Sequence, residues 1–132
     1  MTTVTIPDSV TSIGARSFQN DIHLVSVNLG TGLTQIGEYA FGSDTALQSV
    51  VLPASVIGIA DGVFEYDLGL TSISLDDALV SLGQTPFDHT TALTSVEYCG
   101  NTLRRIDLTN AGIGNVPISC AGQVRALSLI HI

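Results

Sequence analysis

One feature constrains this chain before any other: it repeats itself every 23 residues. Its four phenylalanines stand at Phe18, Phe41, Phe64 and Phe87. Leucine recurs at Leu24, Leu47, Leu70 and Leu93, with Met1 in the same register. Three residues on come Val4, Val27, Val50, Ile73 and Val96, and two further on Ile6, Leu29, Leu52, Leu75 and Tyr98. Val10, Leu33, Val56 and Leu79 follow, with Ile13, Ile36, Ile59 and Leu82 three later. A unit this short cannot bury its apolar side alone. Stacking identical units into a solenoid solves the problem, because equivalent side chains of neighbouring coils form one continuous column.

Each unit reads as three pieces. L-x-x-V-x-I, as in Leu24 to Leu29, suits a buried strand of β-branched and aliphatic residues. V-x-x-I, usually closed by Gly as in Leu33 to Gly37, is a second short strand, with Pro7 and Pro53 at the corner between the two in units one and three. The third piece, such as Gly37 to Phe41, is too short for a helix of its own, and Pro86 argues against a regular one. One 3₁₀ or α turn per coil is therefore expected. The predicted fold is an α/β but β-rich solenoid, a right-handed stack of short parallel strands.

The chain, of 132 residues, is enough for one domain. Twelve acids against four arginines and no lysine give a net charge of −8, which repels phosphate backbones and argues against nucleic-acid binding. Mean hydropathy is +0.43, but the most apolar stretch, Val50 to Ala60, contains Pro53 and falls well short of the ~20 residues a membrane helix needs.

The units resemble those of the BspA-type leucine-rich repeat family, L-x-S-V-x-I-P-x-S-V-x-x-I-G-x-x-A-F-x-x-C. The first runs Val4-Thr-Ile-Pro-Asp-Ser-Val-Thr-Ser-Ile-Gly-Ala-Arg-Ser-Phe18, and the second ends Ile36-Gly-Glu-Tyr-Ala-Phe41. The family's Cys three residues after Phe is replaced by Asp21, Asp44, Asp67 and Thr90. The resemblance covers residues 1–98 and implies a right-handed leucine-rich-repeat solenoid used for binding. Members of the family are often surface or secreted proteins of bacteria and protists with roles in adhesion, so a cell-surface or secreted location is what the resemblance suggests.

Both ends depart from the pattern. Met1 occupies the repeat's Leu position, and Thr2 to Asp8 has neither the basic start nor the apolar stretch of a signal peptide, so Met1 reads as an internal methionine or a truncation point. After Tyr98 the register fails. Leu103 and Ile106 continue the second strand one residue late, and residues 99–126 read as a divergent repeat or an irregular cap. Val124-x-x-Leu127-x-Leu129 has the spacing of a further strand. Leu127-Ser-Leu-Ile-His-Ile132 also matches one reading frame of a transposase adapter used in sequencing libraries, so residues 127–132 are expected to be a non-native tail.

Chemistry is sparse. Asp21, Asp44 and Asp67 should stack one coil apart. Carboxylates are hard ligands for Ca²⁺, but the surrounding residues differ between coils, and hydrogen bonding of each Asp to its own turn is the expected role. Neighbouring like charges would raise their proton affinity. Ser26, Ser49, Ser72 and Ser95, with Thr3, form a hydroxyl ladder without the base that a nucleophile needs. His23, His89 and His131 have no zinc-ligand spacing with Cys99 or Cys120. The two cysteines allow one disulfide, which their separation alone does not decide; two free thiols are the favoured reading, because Cys99 adjoins a strand and Cys120 an irregular stretch. No catalytic, metal or cofactor site is predicted.

In L-x-x-V-x-I the x positions face solvent. They are Val25, Ser26 and Asn28, then Gln48, Ser49 and Val51, then Thr71, Ser72 and Ser74, then Thr94, Ser95 and Glu97. This flat, nearly uncharged surface suits weak, many-point contact with an extended protein or glycan, with strength from repeat number. The function expected is thus a non-enzymatic binding module, part of a larger adhesin-like protein. The alternative is a structural spacer with no ligand of its own. Exposed strand edges at both ends also predict end-to-end self-association.

Overall fold

The computed structural model describes residues 2–100 and 102–120. It is a parallel-strand β-solenoid of about five turns. The first piece of each unit supplies one sheet: β1 (Thr2–Thr5), β3 (Leu24–Asn28), β5 (Ser49–Val51), β7 (Ser72–Leu75), β9 (Ser95–Tyr98) and, last, β10 (Ile118–Ser119). The second piece supplies the other: β2 (Ser12–Ile13), β4 (Gln35–Ile36), β6 (Gly58–Ile59) and β8 (Ser81–Leu82). Both sheets are parallel, and the register steps by 23 residues from Ser26 to Ser49, Ser72 and Ser95, and from Ile13 to Ile36 and Ile59.

The core lies between the sheets and is made by the periodic positions. Leu24, Leu47, Leu70 and Leu79 are fully buried, as are Phe41, Phe64 and Phe87. The phenylalanine rings form one column with centroids 5.4, 5.7 and 5.7 Å apart and planes within 6° of parallel. At centroid separations this large, parallel rings are offset stacks, the favourable arrangement for aromatic quadrupoles. Phe18, at the first coil, is only half-buried.

The expected 3₁₀ or α turn is replaced by a run of tight turns. Ser17, Gln19 and Asp21 donate their N–H groups back to Gly14, Arg16 and Phe18, while Arg16, Phe18 and Asn20 donate to Glu38, Ala40 and Gly42 of the next coil. Alternate amides thus serve the coil and the stack. A helix cannot do this, because its amides all point along its own axis. The price in backbone geometry falls on two positions per coil with positive φ, Arg16, Tyr39, Gly62 and Thr85 at one and Asn20, Ser43, Tyr66 and His89 at the other. Glycine is required elsewhere, where coils touch. A Cβ on Gly37 would lie 2.7 Å from the Ala15 nitrogen and 2.9 Å from the Gly14 carbonyl carbon.

Among the described residues helix is confined to the divergent coil, as α1 (Arg105–Leu108) and a π-helical turn, Thr109–Ile113. The second sheet therefore stops at β8, and the strand continuation expected through Leu103 and Ile106 is not made. This segment covers the end of the phenylalanine column instead. Leu108, Ala111 and Ile113 are buried, and Phe87 donates its N–H to Ala111 at 2.9 Å. Gly112, at φ 118°, permits the approach, since a Cβ there would sit 2.6 Å from the Asp88 nitrogen. Tyr98 holds the segment from the other side, its hydroxyl donating to the Leu79 carbonyl and accepting the Leu103 N–H. The chain then returns to the first sheet, where Ile118 and Ser119 pair with Val96 and Glu97.

A disulfide fixes that return. Cys99 and Cys120 are bonded, with Cα atoms 4.9 Å apart, which corrects the expectation of two free thiols. Their separation of 21 residues is close to one coil, so the stack lays the residue after β9 beside the residue after β10. The strand reading at Val124 to Leu129 and the tail at residues 127–132 lie outside the described residues.

Candidate partner-binding face

The outer surface of the six-stranded sheet carries the residues singled out by the repeat. β-strand alternation buries Val27, Val50, Ile73 and Val96 and turns the residues on either side of each outward, while Leu24, three residues before Val27, is buried at the strand's start, where alternation does not hold. Asn28, Gln48, Ser49, Val51, Thr71, Thr94 and Ser95 are exposed, whereas Val25, Ser26, Ser72, Ser74 and Glu97 are half-buried. Register brings Ser26, Ser49, Ser72 and Ser95 into one row, and Val51, Ser74 and Glu97 into another. Among the described residues Val51 is the most exposed large apolar side chain, at 66%.

Some of these hydroxyls are already engaged. Thr3 and Ser26 share a 3.0 Å hydrogen bond across β1 and β3. Thr94 donates to the Thr71 carbonyl at 3.2 Å, and Thr71 to the Gln48 carbonyl at 3.1 Å. The outermost row is therefore rigid, while its hydroxyls keep lone pairs facing solvent. A shallow cleft of about 310 Å³ opens where Asn28, Ser49, Val51 and Pro53 meet. Glu97 is the one ionisable group among the twelve. The face can accept and donate hydrogen bonds to a flat partner, but it has no aromatic or arginine anchor of the kind that dominates compact interfaces.

One feature escaped the reading of the sequence, and a second departs from it in its bonding. The first is a hollow of about 670 Å³ beside Ser81, Leu82 and Gln84, bounded opposite by Thr102, Asp107 and Asn110, left where the second sheet lacks a fifth strand. Asp107 there is held below the usual carboxylate range, first by the Arg104 N–H and then by its guanidinium. Loss of repeat phase after Tyr98 was the one signal of this hollow.

The second is the aspartate column. The Asp44 and Asp67 carboxylates bond the neighbouring coil and not their own turns, which corrects the expected pairing at these two: Asp21 donates its N–H to Asp44 Oδ1 at 2.8 Å, and Asp44 donates to Asp67 Oδ1 at 2.9 Å. Asp44 and Asp67 are wholly buried, and the Oδ2 atom of each has no hydrogen-bond partner. Burial raises the pKa of Asp44 to about 7 and that of Asp67 to about 9, against the lowering effect of the amide; the neighbouring carboxyl adds a smaller upward push. Thr90 ends the column by turning its hydroxyl to the Phe87 carbonyl at 2.7 Å. Among the described residues no three His, Cys, Asp or Glu side chains are disposed to hold a metal ion.

Comparison with known proteins agrees with this architecture. A model of the BspA type leucine rich repeat region matches residues 1–109 in six copies. The chain belongs to the BspA-type leucine-rich repeat family. Three solved structures are similar to the chain in fold. A leucine-rich repeat protein from Bacteroides ovatus is 23% identical, with a TM-score of 0.75 over 88% of this chain and 30% of that one. A leucine rich cell surface protein from Faecalibacterium prausnitzii is 27% identical, with a TM-score of 0.73 over 83% of this chain and 28% of that one. The pneumococcal vaccine antigen PcpA is 26% identical, with a TM-score of 0.72 over 76% of this chain and 25% of that one. This BspA-type chain thus spans less than a third of each. No curated protein matches it in sequence. No helix among the described residues is long and apolar enough to cross a membrane.

Proposed function

We propose that this chain is a segment of a non-enzymatic binding module in a cell-surface, adhesin-like protein, and that the outer face of the six-stranded sheet is its contact surface. The observation that carries the reading is the row of Ser26, Ser49, Ser72 and Ser95, repeated in register on a flat and nearly uncharged sheet. Regularly spaced hydroxyls, with Asn28, Gln48 and Val51 beside them, suit an extended glycan or protein that lies across several coils. Each coil adds a small increment, and strength comes from coil number. A dissociation constant weaker than ~10 μM, about −7 kcal/mol, is expected for this segment. The Cys99–Cys120 bond supports an oxidising location outside the cytosol, where disulfides persist. So does the surface protein of F. prausnitzii among the structural relatives.

The test is a triple change, Ser49, Ser72 and Ser95 to Arg, assayed on glycan arrays and immobilised matrix proteins. Loss of binding with an unchanged circular dichroism spectrum supports the face. Unchanged binding moves the contact surface elsewhere. The spacer reading is favoured by one observation, the use of the Thr71 and Thr94 hydroxyls to tie strands together. It is upheld if the wild-type segment binds no member of either set.

A further inference from the structure

The aspartate column has a consequence separate from any partner. Asp44 and Asp67 each spend one carboxyl oxygen on the amide of the preceding coil and leave the other buried without a partner. An ionised carboxylate in that setting would need a cation or further donors. Among the described side chains neither reaches the free oxygens: Arg16 lies over the Tyr39 ring and Arg104 is paired with Asp107. The groups stacked on the two acids are Asp21, each other, and the Thr90 hydroxyl, which is already committed. The other ionisable residues nearby in the chain, His23, Glu65, Tyr66, Asp88 and His89, lie at exposed or half-exposed positions, and His89 is paired with Asp88 at 3.2 Å.

We propose that Asp44 and Asp67 are neutral, protonated links between coils, and that the solenoid is thereby a pH-responsive element that is tight in mildly acidic surroundings and loosens at its middle coils as the medium turns alkaline. A protonated carboxyl fits the site: its carbonyl oxygen accepts the amide, and its hydroxyl removes the buried charge. The linkage has a definite sign. In the unfolded chain the two groups have the ordinary value of 3.8, whereas the folded chain keeps its protons up to about 7 at Asp44 and about 9 at Asp67. The folded state therefore binds more protons across that interval. The stability this provides is fully present below 3.8 and is lost as pH rises through the folded values.

Thermal and urea unfolding of the whole chain between about pH 5 and about pH 9 tests this, with wild type beside Asp44→Asn, Asp67→Asn and the double variant. Asn matches a protonated Asp in shape and keeps the acceptor oxygen. For wild type the unfolding equilibrium constant should rise by about tenfold per pH unit for each proton still held. The double variant should lose that slope and exceed wild type in stability above about pH 8. A wild type with no slope, or a double variant that follows the wild-type slope, overturns the proposal. Side-chain carboxyl carbon shifts of wild type, followed by NMR, decide independently of how the variants fold. Two carboxyls that keep protonated shifts at about pH 5, where an ordinary Asp is ionised, support it, and two that titrate at the ordinary value of 3.8 overturn it.

Discussion

Replacing Phe64 with Ala should be among the costliest single changes in this chain, and the reason lies in the column. Phe64 is fully buried and stacked on both sides, with ring centroids at 5.7 Å to Phe41 and 5.7 Å to Phe87. Removing a buried Phe ring loses its transfer free energy and leaves a cavity, together about 3–5 kcal/mol. Each of the two lost stacks contributes about 0.5–1.5 kcal/mol of coupling, partly included in that figure. Coils above and below are held by backbone hydrogen bonds, so the gap cannot close. The same change at Phe18 removes one stack, at 5.4 Å, and a ring that is only half-buried. Its cost should be nearer 2 kcal/mol, roughly the value for partial burial of such a side chain. Urea unfolding by circular dichroism measures both. With a slope of about 2 kcal/mol per molar, Phe64→Ala should lower the midpoint by about 2 M, and Phe18→Ala by about half as much. A double-mutant cycle on Phe41 and Phe64 should give a coupling of about 0.5–1.5 kcal/mol. Equal costs at Phe18 and Phe64, or strict additivity at Phe41 and Phe64, would refute a linear, mutually supporting stack.

Other outcomes follow from the same geometry. Changing Cys99 and Cys120 to Ser together should cost about 2–4 kcal/mol, and hydrogen exchange should quicken at Val96, whose N–H bonds the Pro117 carbonyl just before β10; unaltered exchange there would mean that the bond does not hold the strand. Gly112→Ala should destabilise by more than about 1 kcal/mol, because it combines an unfavourable φ with a contact on the Asp88 backbone; a neutral result in thermal unfolding would contradict the close approach. Self-association through the outer edge of β1 is expected to strengthen with salt as the charge of −8 is screened, and sedimentation that stays monomeric at high salt and concentration would rule it out.

The sequence by itself determined the period of the coils, their phase and the core. This follows from the physics of stacking: a position that packs against its own copy one coil away must keep its character at every repeat. Phe18, Phe41, Phe64 and Phe87 state that rule openly, and the outward row of Ser26, Ser49, Ser72 and Ser95 follows from strand alternation. What the tertiary structure alone decided is whatever does not repeat, or repeats without a residue signature. Arg16, Tyr39, Gly62 and Thr85 share a left-handed backbone but no chemistry, so the turn ribbon at the corner was invisible. The Asp44 carboxylate reaches an amide 23 residues back, a partner that only coil stacking brings within 2.8 Å. The cysteines gave a usable hint, since a separation of 21 in a 23-residue solenoid lays two residues nearly side by side. Residues 102–113 gave none. Once the phase is lost, their helical turn is set by the shape of the column end that Leu108, Ala111 and Ile113 must cover, and that shape exists only after the four regular coils have stacked.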